Sequence, residues 1–406
     1  MAEKKKKKKW IRFRHKVIQS ILKVFIAPFC RLKYNIKIEK FKEQGKKPYL
    51  ILYNHQTPFD QFFVGIAFRT PIYYLATEDI FSLGWISSVI RYIVAPIPIK
   101  KQTTDVSAVM NCIRVAREGG SLAIAPEGNR TYSGKTEYMN PAIATLAKKI
   151  GLPIAIFRIE GGYGSEPRWS DKLRRGSMKA YVHSVIEPEE YKDMTAEELL
   201  SKIEEGLYVN EAVADGVFES ERRAEYLERA IYVCPFCGLS EFESHGNESE
   251  CKKCHRKITY GKDKRISGIG FDFPFEFVNE WYEYQNGFIN SVDLTENTEE
   301  ALYTDRARIF EVIVYSHKEC IRKEAEIKLF GDRVVFDEGT ENKKVLLFSE
   351  ISAASVLGRN KLNIYHDGKV YQLKGSVHFN AIKYVNLYYR YKNITRGEEN
   401  GKFLGL

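Results

Sequence analysis

Net positive charge is missing from most of this chain. The 406 residues sum to +10, yet residues 1–47 alone hold seventeen Lys or Arg against Glu3, Glu39 and Glu43, which leaves −4 for the other 359. Nucleic acid is therefore not an expected partner of the folded body. Long apolar runs are missing too: no stretch reaches the ~18 uncharged residues that a membrane-spanning helix needs. A secretory signal peptide fits poorly, because Lys23 interrupts the early apolar region and no small-residue cleavage site follows it. There is no disulfide framework. Of seven cysteines, Cys30, Cys112 and Cys320 stand alone and read as small buried apolar residues, and a reducing compartment is expected. Repeats are absent, and the only low-complexity tract is a run of lysines.

What is present is the composition of a folded protein, 44% hydrophobic and 29% charged, with 25 Tyr and 24 Phe. Its length exceeds one ordinary core, so two or three domains are expected. Residues 1–47 read as a leader. Lys4 to Lys9 precede Trp10, Arg12, Phe13 and Arg14, and Ile18, Ile21, Leu22, Phe25, Phe29 and Leu32 then recur at helical spacing. Gln19 and Lys23 interrupt the stripe, and Pro28 is expected to kink or end the helix. The combination predicts a monotopic helix on an anionic membrane surface, where each nearby Lys or Arg contributes about 1 kcal/mol. The bland alternative is a solvated tail followed by an ordinary packed helix.

Residues 48–69 read as strand, loop and helix. Pro48 to Tyr53 form the apolar run and Asn54-His55-Gln56 the loop; Thr57 is the expected N-cap and Pro58 the first helical residue. His55 and Asp60 are five apart, about 140° on one straight helix, but a helix that starts at Pro58 lets the ring fold back to the carboxylate. A carboxylate on Nδ1 fixes the tautomer and frees Nε2 to take a proton from a hydroxyl. Alternatively Asp60 only caps backbone N–H groups in a near capping box with Thr57. A second segment reads as a strand, Ser121 to Pro126, that exits into Glu127-Gly128-Asn129-Arg130-Thr131. Its arginine offers a charged planar fork suited to phosphate; the alternative is a solvated surface turn.

Asn54-His55-Gln56-Thr57-Pro58-Phe59-Asp60 and Pro126-Glu127-Gly128-Asn129-Arg130-Thr131 together resemble the glycerolipid acyltransferases, the 1-acylglycerol-3-phosphate acyltransferases and their relatives. That signature is His, four residues, Asp, then Glu-Gly-x-Arg about seventy residues on. The resemblance covers about residues 20–210. It implies an α/β core with an apolar acyl channel, His55 as general base with Asp60 its partner, and Glu127, Gly128 and Arg130 shaping an acceptor-phosphate site. The donor it implies is an acyl thioester on coenzyme A or acyl carrier protein, and the acceptor a lysophospholipid. The chain departs from the pattern in three places. Lys101 stands where an arginine is usual, Thr77 where many members carry lysine, and only Pro153 of the usual two prolines is kept. Gly161-Gly162-Tyr163-Gly164, with Arg168, Arg174 and Arg175 following, read as turns, with a phosphate-binding role the alternative.

Cys234-Pro235-Phe236-Cys237 and Cys251-Lys252-Lys253-Cys254 are two knuckles thirteen residues apart. They predict a four-cysteine zinc ribbon with a closed, structural Zn2+; a thioredoxin-like redox pair is the rival. His245 and His255 read as bystanders. Beyond the ribbon, Asp367-Gly368 between two alternating runs predicts a hairpin, Glu326–Asp337 and Val345–Phe348 read as strands, and a closing helix is expected from a cap at Ser376 through Tyr391. Strands followed by one helix resemble pleckstrin-homology-like domains in architecture alone. The expected class is therefore α/β: a leader (1–47), an acyltransferase core (48–215), a helical connector (216–230), a zinc ribbon (231–262) and a C-terminal β-rich domain closed by a helix (266–406). The expected activity is O-acyl transfer at a membrane surface, from a cytoplasmic and peripheral (monotopic) position. A catalytically weakened acyltransferase fold that binds lipid or acyl groups is the competing reading. Oligomeric state has no signature here.

Overall fold

The structure, a computed structural model, describes residues 9–82, 84–99, 105–294, 298–313 and 316–398. Lys101 and Lys4 to Lys8 lie outside the described residues. Contacts divide the chain into two compact units that do not follow sequential boundaries. The first comprises residues 1–128, 136–160 and 178–209; the second comprises 129–135, 161–177 and 210–406.

The first unit is an α/β layer structure. In chain order it contains α1 (Phe13–Tyr34), β1 (Ile36–Ile38), β2 (Leu50–Tyr53), α2 (Asp60–Ala67), β3 (Ile72–Thr77), α3 (Trp85–Ile93), β4 (Ile97–Ile99), α4 (Val106–Arg117), β5 (Ser121–Ile124), α5 (Ala142–Ile150) and β6 (Ile154–Glu160). The single-turn α6 (Gly162–Ser165) belongs to the second unit, and β7 (Met178–Ile186), α7 (Pro188–Tyr191) and α8 (Ala196–Leu207) complete the first. Seven strands form one sheet in the order β1-β7-β6-β2-β5-β3-β4. All neighbours are parallel except β6 and β7. Strand side chains alternate between faces, and in the central strands residues 50–53, 122–124 and 154–157 are apolar at successive positions because both faces are covered. Leu50, Leu52, Leu122, Ile124, Ile154 and Ile156 pack with residues of α4, α5 and α8. Ile51, Tyr53, Ala123, Ala155 and Phe157 pack with residues of α1 and α2.

The stretch read as a leader is part of this unit. Cys30 and Tyr34 are buried, the Gln19 amide bonds both main-chain groups of Ile72, and β1 pairs with β7. Pro28 does not end α1, which runs on to a left-handed cap at Asn35. The predicted stripe divides: Ile18 and Leu22 are half-buried, whereas Ile21, Phe25, Phe29 and Leu32 are exposed. Trp85, Ile86, Val89 and Tyr92 give α3 an exposed apolar stripe as well, and the Arg14 guanidinium of α1 lies 4.1 Å from the Tyr92 ring centre. Among the described residues no helix is long and apolar enough to cross a membrane.

The second unit has one continuous core. It includes Tyr132, Tyr163 and Trp169, residues of the cysteine ribbon, and the interior of the C-terminal sheet, so ribbon and C-terminal region are not separate bodies. The ribbon consists of β8 (Val233–Cys234) and β9 (Gly238–Leu239), with β10 (Phe242–His245), β11 (Glu248–Cys251), β12 (Lys257–Tyr260) and β13 (Ile266–Gly268) in an antiparallel sheet. After α9 (Val278–Ser291) come β14 (Tyr303–Ile313), β15 (His317–Leu329), β16 (Arg333–Phe336), β17 (Lys344–Leu347), β18 (Ile351–Leu357), β19 (Lys361–His366) and β20 (Lys369–Gly375), then α10 (Ile382–Thr395). These strands form an antiparallel half-barrel in the order β17-β16-β15-β14-β20-β19-β18, closed by the helix. Asp367 and Gly368 both take positive φ, the left-handed pair that a two-residue hairpin requires.

Three expectations change. Residues 326–337 are not one strand but the end of β15, a turn at Phe330–Asp332, and β16; Gly331 sits there because a side chain would run into the Leu294 carbonyl. The closing helix starts at Ile382 with no side-chain cap, later than Ser376. Residues 216–230 are not a helical connector: only Leu227–Arg229 make a 3-10 turn. There the chain inserts the buried Phe218 ring against Gly164 and Gly176, where any Cβ would collide with it.

Candidate active site

The loops after β2 and β5 emerge side by side, because these strands are parallel neighbours with Leu52 opposite Ile124. Carboxyl ends of adjacent parallel strands are where α/β sheets present their chemistry. The loop after β2 is pinned from several sides. The Asn54 amide donates to the Ile159 carbonyl and accepts from its N–H, both at 2.8 Å. The His55 N–H donates to Glu127 Oε1 at 3.0 Å. His55 Nδ1 lies 2.8 Å from Asp60 Oδ2.

Asp60 is 0% exposed, and its carboxylate also accepts the N–H of Gln56 at 2.6 Å, the N–H of Thr57 at 3.0 Å and the Thr57 hydroxyl at 2.7 Å. Orienting the histidine and capping the backbone, the two roles open for Asp60 in sequence, are filled together. A carboxylate surrounded by donors accepts from Nδ1, so the imidazole carries its proton there and Nε2 is the basic nitrogen. The ring keeps 23% of its side-chain surface exposed. Helix α2 starts at Asp60 with Phe59 as N-cap, later than expected; Thr57 serves the carboxylate instead.

Glu127 is half-buried beneath this loop, its second oxygen accepting the Glu137 N–H at 2.9 Å. Burial pushes its carboxyl up to about 8, although the N–H groups of Glu137 and His55 pull the other way. Gly128 has φ of 72° with open space where a side chain would project, so conformation rather than crowding requires glycine. The structure thus brings His55, Asp60, Glu127 and Gly128 into the first unit, whereas Arg130, nearly buried, belongs to the second. Gln56 was not singled out in the sequence. Its amide is buried and neither polar atom finds a partner among the described residues. The Gly161 N–H, at the start of α6, is taken by Glu211 Oε2 at 2.5 Å, so a carboxylate already sits where a phosphate would.

A family model described as acyltransferase matches residues 33–159, which contain this arrangement. Residues 33–159 of this chain thus hold an acyltransferase domain. The chain is 23% identical over 202 residues to a chloroplastic 1-acyl-sn-glycerol-3-phosphate acyltransferase of Arabidopsis thaliana, covering 48% of this chain and 54% of that protein. It is 22% identical over 136 residues to the 1-acyl-sn-glycerol-3-phosphate acyltransferase of Bacillus subtilis (strain 168), covering 34% of this chain and 65% of that protein. It therefore spans between about half and two thirds of these relatives' lengths. The crystal structure of the 1-acyl-sn-glycerophosphate acyltransferase of Thermotoga maritima aligns with a TM-score of 0.40 at 19% identity, covering 48% of this chain and 82% of that one.

The four cysteines of the knuckles lie in the second unit, beyond residues 33–159. The sulfurs of Cys234, Cys237, Cys251 and Cys254 all lie within 4.8 Å of one another, with Cys234 to Cys254 at 3.7 Å and Cys237 to Cys251 at 3.5 Å. Zinc–sulfur bonds of about 2.3 Å in a tetrahedron place sulfurs about 3.8 Å apart, so the set fits zinc. Burial opposes ionisation of Cys254, but the main-chain N–H and guanidinium of Arg256 and the neighbouring thiols outweigh it and bring the thiol down to about 6. His245 pairs with Glu243 and His255 with Glu250, each at 3.0 Å, so both histidines are engaged away from the sulfurs.

Proposed function

We propose that this protein transfers an acyl group from an acyl thioester to a hydroxyl of a lysophosphatidate-like glycerolipid at a membrane surface, with His55 as general base. The observation that carries the reading is the His55–Asp60 pair, whose buried carboxylate accepts from Nδ1 and so leaves Nε2 as the proton acceptor. His55 Nε2 takes the acceptor hydroxyl proton as the oxygen attacks the thioester carbonyl. The tetrahedral oxyanion then collapses, and the thiolate leaves and takes up the proton from the imidazolium. No covalent acyl-enzyme is required. Glu127 holds the His55 main chain through its N–H, and Arg130 receives the acceptor phosphate. Lys101 is kept as a further cation for that phosphate. The relatives' names support this substrate class.

The exposed apolar stripes of α1 and α3, with cationic Lys16 and Arg31 on α1, support peripheral attachment to an anionic leaflet. The four thiols of the ribbon hold a structural zinc ion, which takes no part in the transfer. The test follows thiol release from an acyl thioester on addition of lysophosphatidate. Wild type is expected to release thiol in step with esterified product, and His55→Ala to lose the general-base contribution, ~10²- to 10⁴-fold, with unchanged melting. Turnover of folded His55→Ala near the wild-type rate would sink the assignment. Lipid binding without any thiol release by wild type would leave the binding-protein reading in its place.

A further inference from the structure

The second unit contains a buried guanidinium that the proposed chemistry does not use. Arg168 is 2% exposed. Its Nη1 donates to the Arg130 carbonyl at 2.8 Å, and its Nη2 reaches Asn129 Oδ1 at 3.5 Å. On the other side Nε donates to the Gly358 carbonyl at 2.9 Å and Nη2 to the Val356 carbonyl at 3.2 Å. The guanidinium also lies 4.3 Å from the ring centre of Tyr132, whose hydroxyl donates to the Arg359 carbonyl. Arg359 in turn donates from Nε to the Ser170 carbonyl at 2.9 Å and pairs with Glu166 and Asp171. Residues 129–132, 166–171 and the end of β18 with the turn that follows it (356–359) are thus tied together by the side chains of Arg168, Tyr132 and Arg359.

We infer that Arg168 and Tyr132 are positioning residues for the acceptor phosphate, and that the β18–β19 turn of the half-barrel thereby holds the loop that carries Arg130. This rests on the assignment of Arg130 to the acceptor phosphate. A bidentate fork binds well only if its backbone is already held, because ordering a loop on binding subtracts from affinity. Arg168 holds the Arg130 carbonyl directly, and Tyr132 anchors the same loop two residues on. Four of the acceptors that Arg168 reaches are neutral oxygens, three of them main-chain carbonyls on two separate segments, so its fork fixes the conformation of both. Lysine cannot replace it, since one ammonium cannot reach acceptors on both sides in a planar fork.

The experiment uses the full chain and compares Arg168→Leu, Tyr132→Phe and Arg130→Ala with wild type. It measures KM for lysophosphatidate, KM for a monoacylglycerol that lacks the phosphate, KM for the acyl thioester, melting temperature and zinc content. Expected are a rise in KM for lysophosphatidate of about tenfold in Arg168→Leu and a smaller one in Tyr132→Phe, as for loss of a charged and a neutral hydrogen bond. The other two KM values should be unchanged. If Arg168→Leu does not fold, Tyr132→Phe, which loses one hydroxyl only, decides. Equal changes in KM for both acceptors, or a matching change for the thioester, would mean a structural role and overturn the inference. No selective effect of Arg130→Ala would overturn the phosphate assignment itself. A selective effect of Arg130→Ala with none from Arg168→Leu or Tyr132→Phe overturns the inference alone.

Discussion

Glu127 offers two oxygens to two main-chain N–H groups, and desolvation pushes its carboxyl up to about 8 from an ordinary 4.5. Between those values the folded chain holds a proton that the unfolded chain has released. The contribution to stability is therefore fully present below about 4.5 and is lost as pH rises through about 8. Glu127→Gln removes the titration and also one of the two acceptors. The melting temperature of wild type is thus expected to fall relative to the variant from pH 4.5 to 8, with parallel curves beyond both ends. Parallel curves throughout would show that Glu127 does not bind the proton. This role was not legible, since a side chain that accepts from distant backbone has no spacing rule, and Glu127 read as a substrate contact. His55 and Asp60 were legible because both partners lie in one short segment, and Pro58 suggested that the ring precedes the helix. Gln56 gave no signal, because nothing in a sequence marks an amide buried without partners.

Helix α1 shows what periodicity can and cannot settle. Its apolar residues extend around most of the helix, so spacing identified a helix but not the face that packs. His15, Gln19, Cys30 and Tyr34 are buried instead, and polar side chains make part of that contact: His15 Nδ1 meets the Tyr73 hydroxyl at 3.1 Å. The exposed remainder, with Phe25 at 70% and Trp85 of α3 at 76% exposure, defines the expected membrane face. Deleting α1 would damage the first unit's core, so point changes are the better test. Phe25→Glu and Trp85→Glu are expected to weaken liposome sedimentation at every salt concentration, because they remove apolar burial. Lys16→Glu and Arg31→Glu should weaken it mostly at low salt. Undiminished sedimentation of Phe25→Glu together with Trp85→Glu would exclude this face. The convergence of the four knuckle cysteines was legible because metal ligands must recur at fixed spacing. One zinc per chain is expected, lost on Cys251→Ser together with part of the thermal transition; reversible disulfides within each knuckle would replace zinc with redox chemistry.

At the scale of the whole molecule, the sequence suggested domains laid end to end, whereas the backbone passes between the units at 128/129, 135/136, 160/161, 177/178 and 209/210. No composition shift marks those crossings. The segments involved are short, and their partners lie far along the chain: Gly134 packs against Tyr163 and Ala212, Arg174 bonds Tyr260 and the Arg223 carbonyl, and Arg229 bonds the Trp169 carbonyl and Asp171. A fragment ending at Val209 keeps every strand and helix of the first unit. It strips residues 129–135 and 161–177 of these partners, however, baring Tyr132, Tyr163 and Trp169, taking the Val356 and Gly358 carbonyls from the buried Arg168, and taking the Tyr260 hydroxyl and Arg223 carbonyl from the buried Arg174. Each unsatisfied buried group costs about 1–3 kcal/mol, against a domain stability of roughly 5–15 kcal/mol. Fragment 1–209 is therefore expected to keep its far-ultraviolet helical signal but to bind a hydrophobic dye, lose near-ultraviolet fine structure and melt without a cooperative transition. The full chain should show none of these changes. A fragment that melts cooperatively at the temperature of the full chain would mean that the two inserted segments fold without the second unit, and that the half-barrel can be removed without consequence for the loop that carries Arg130.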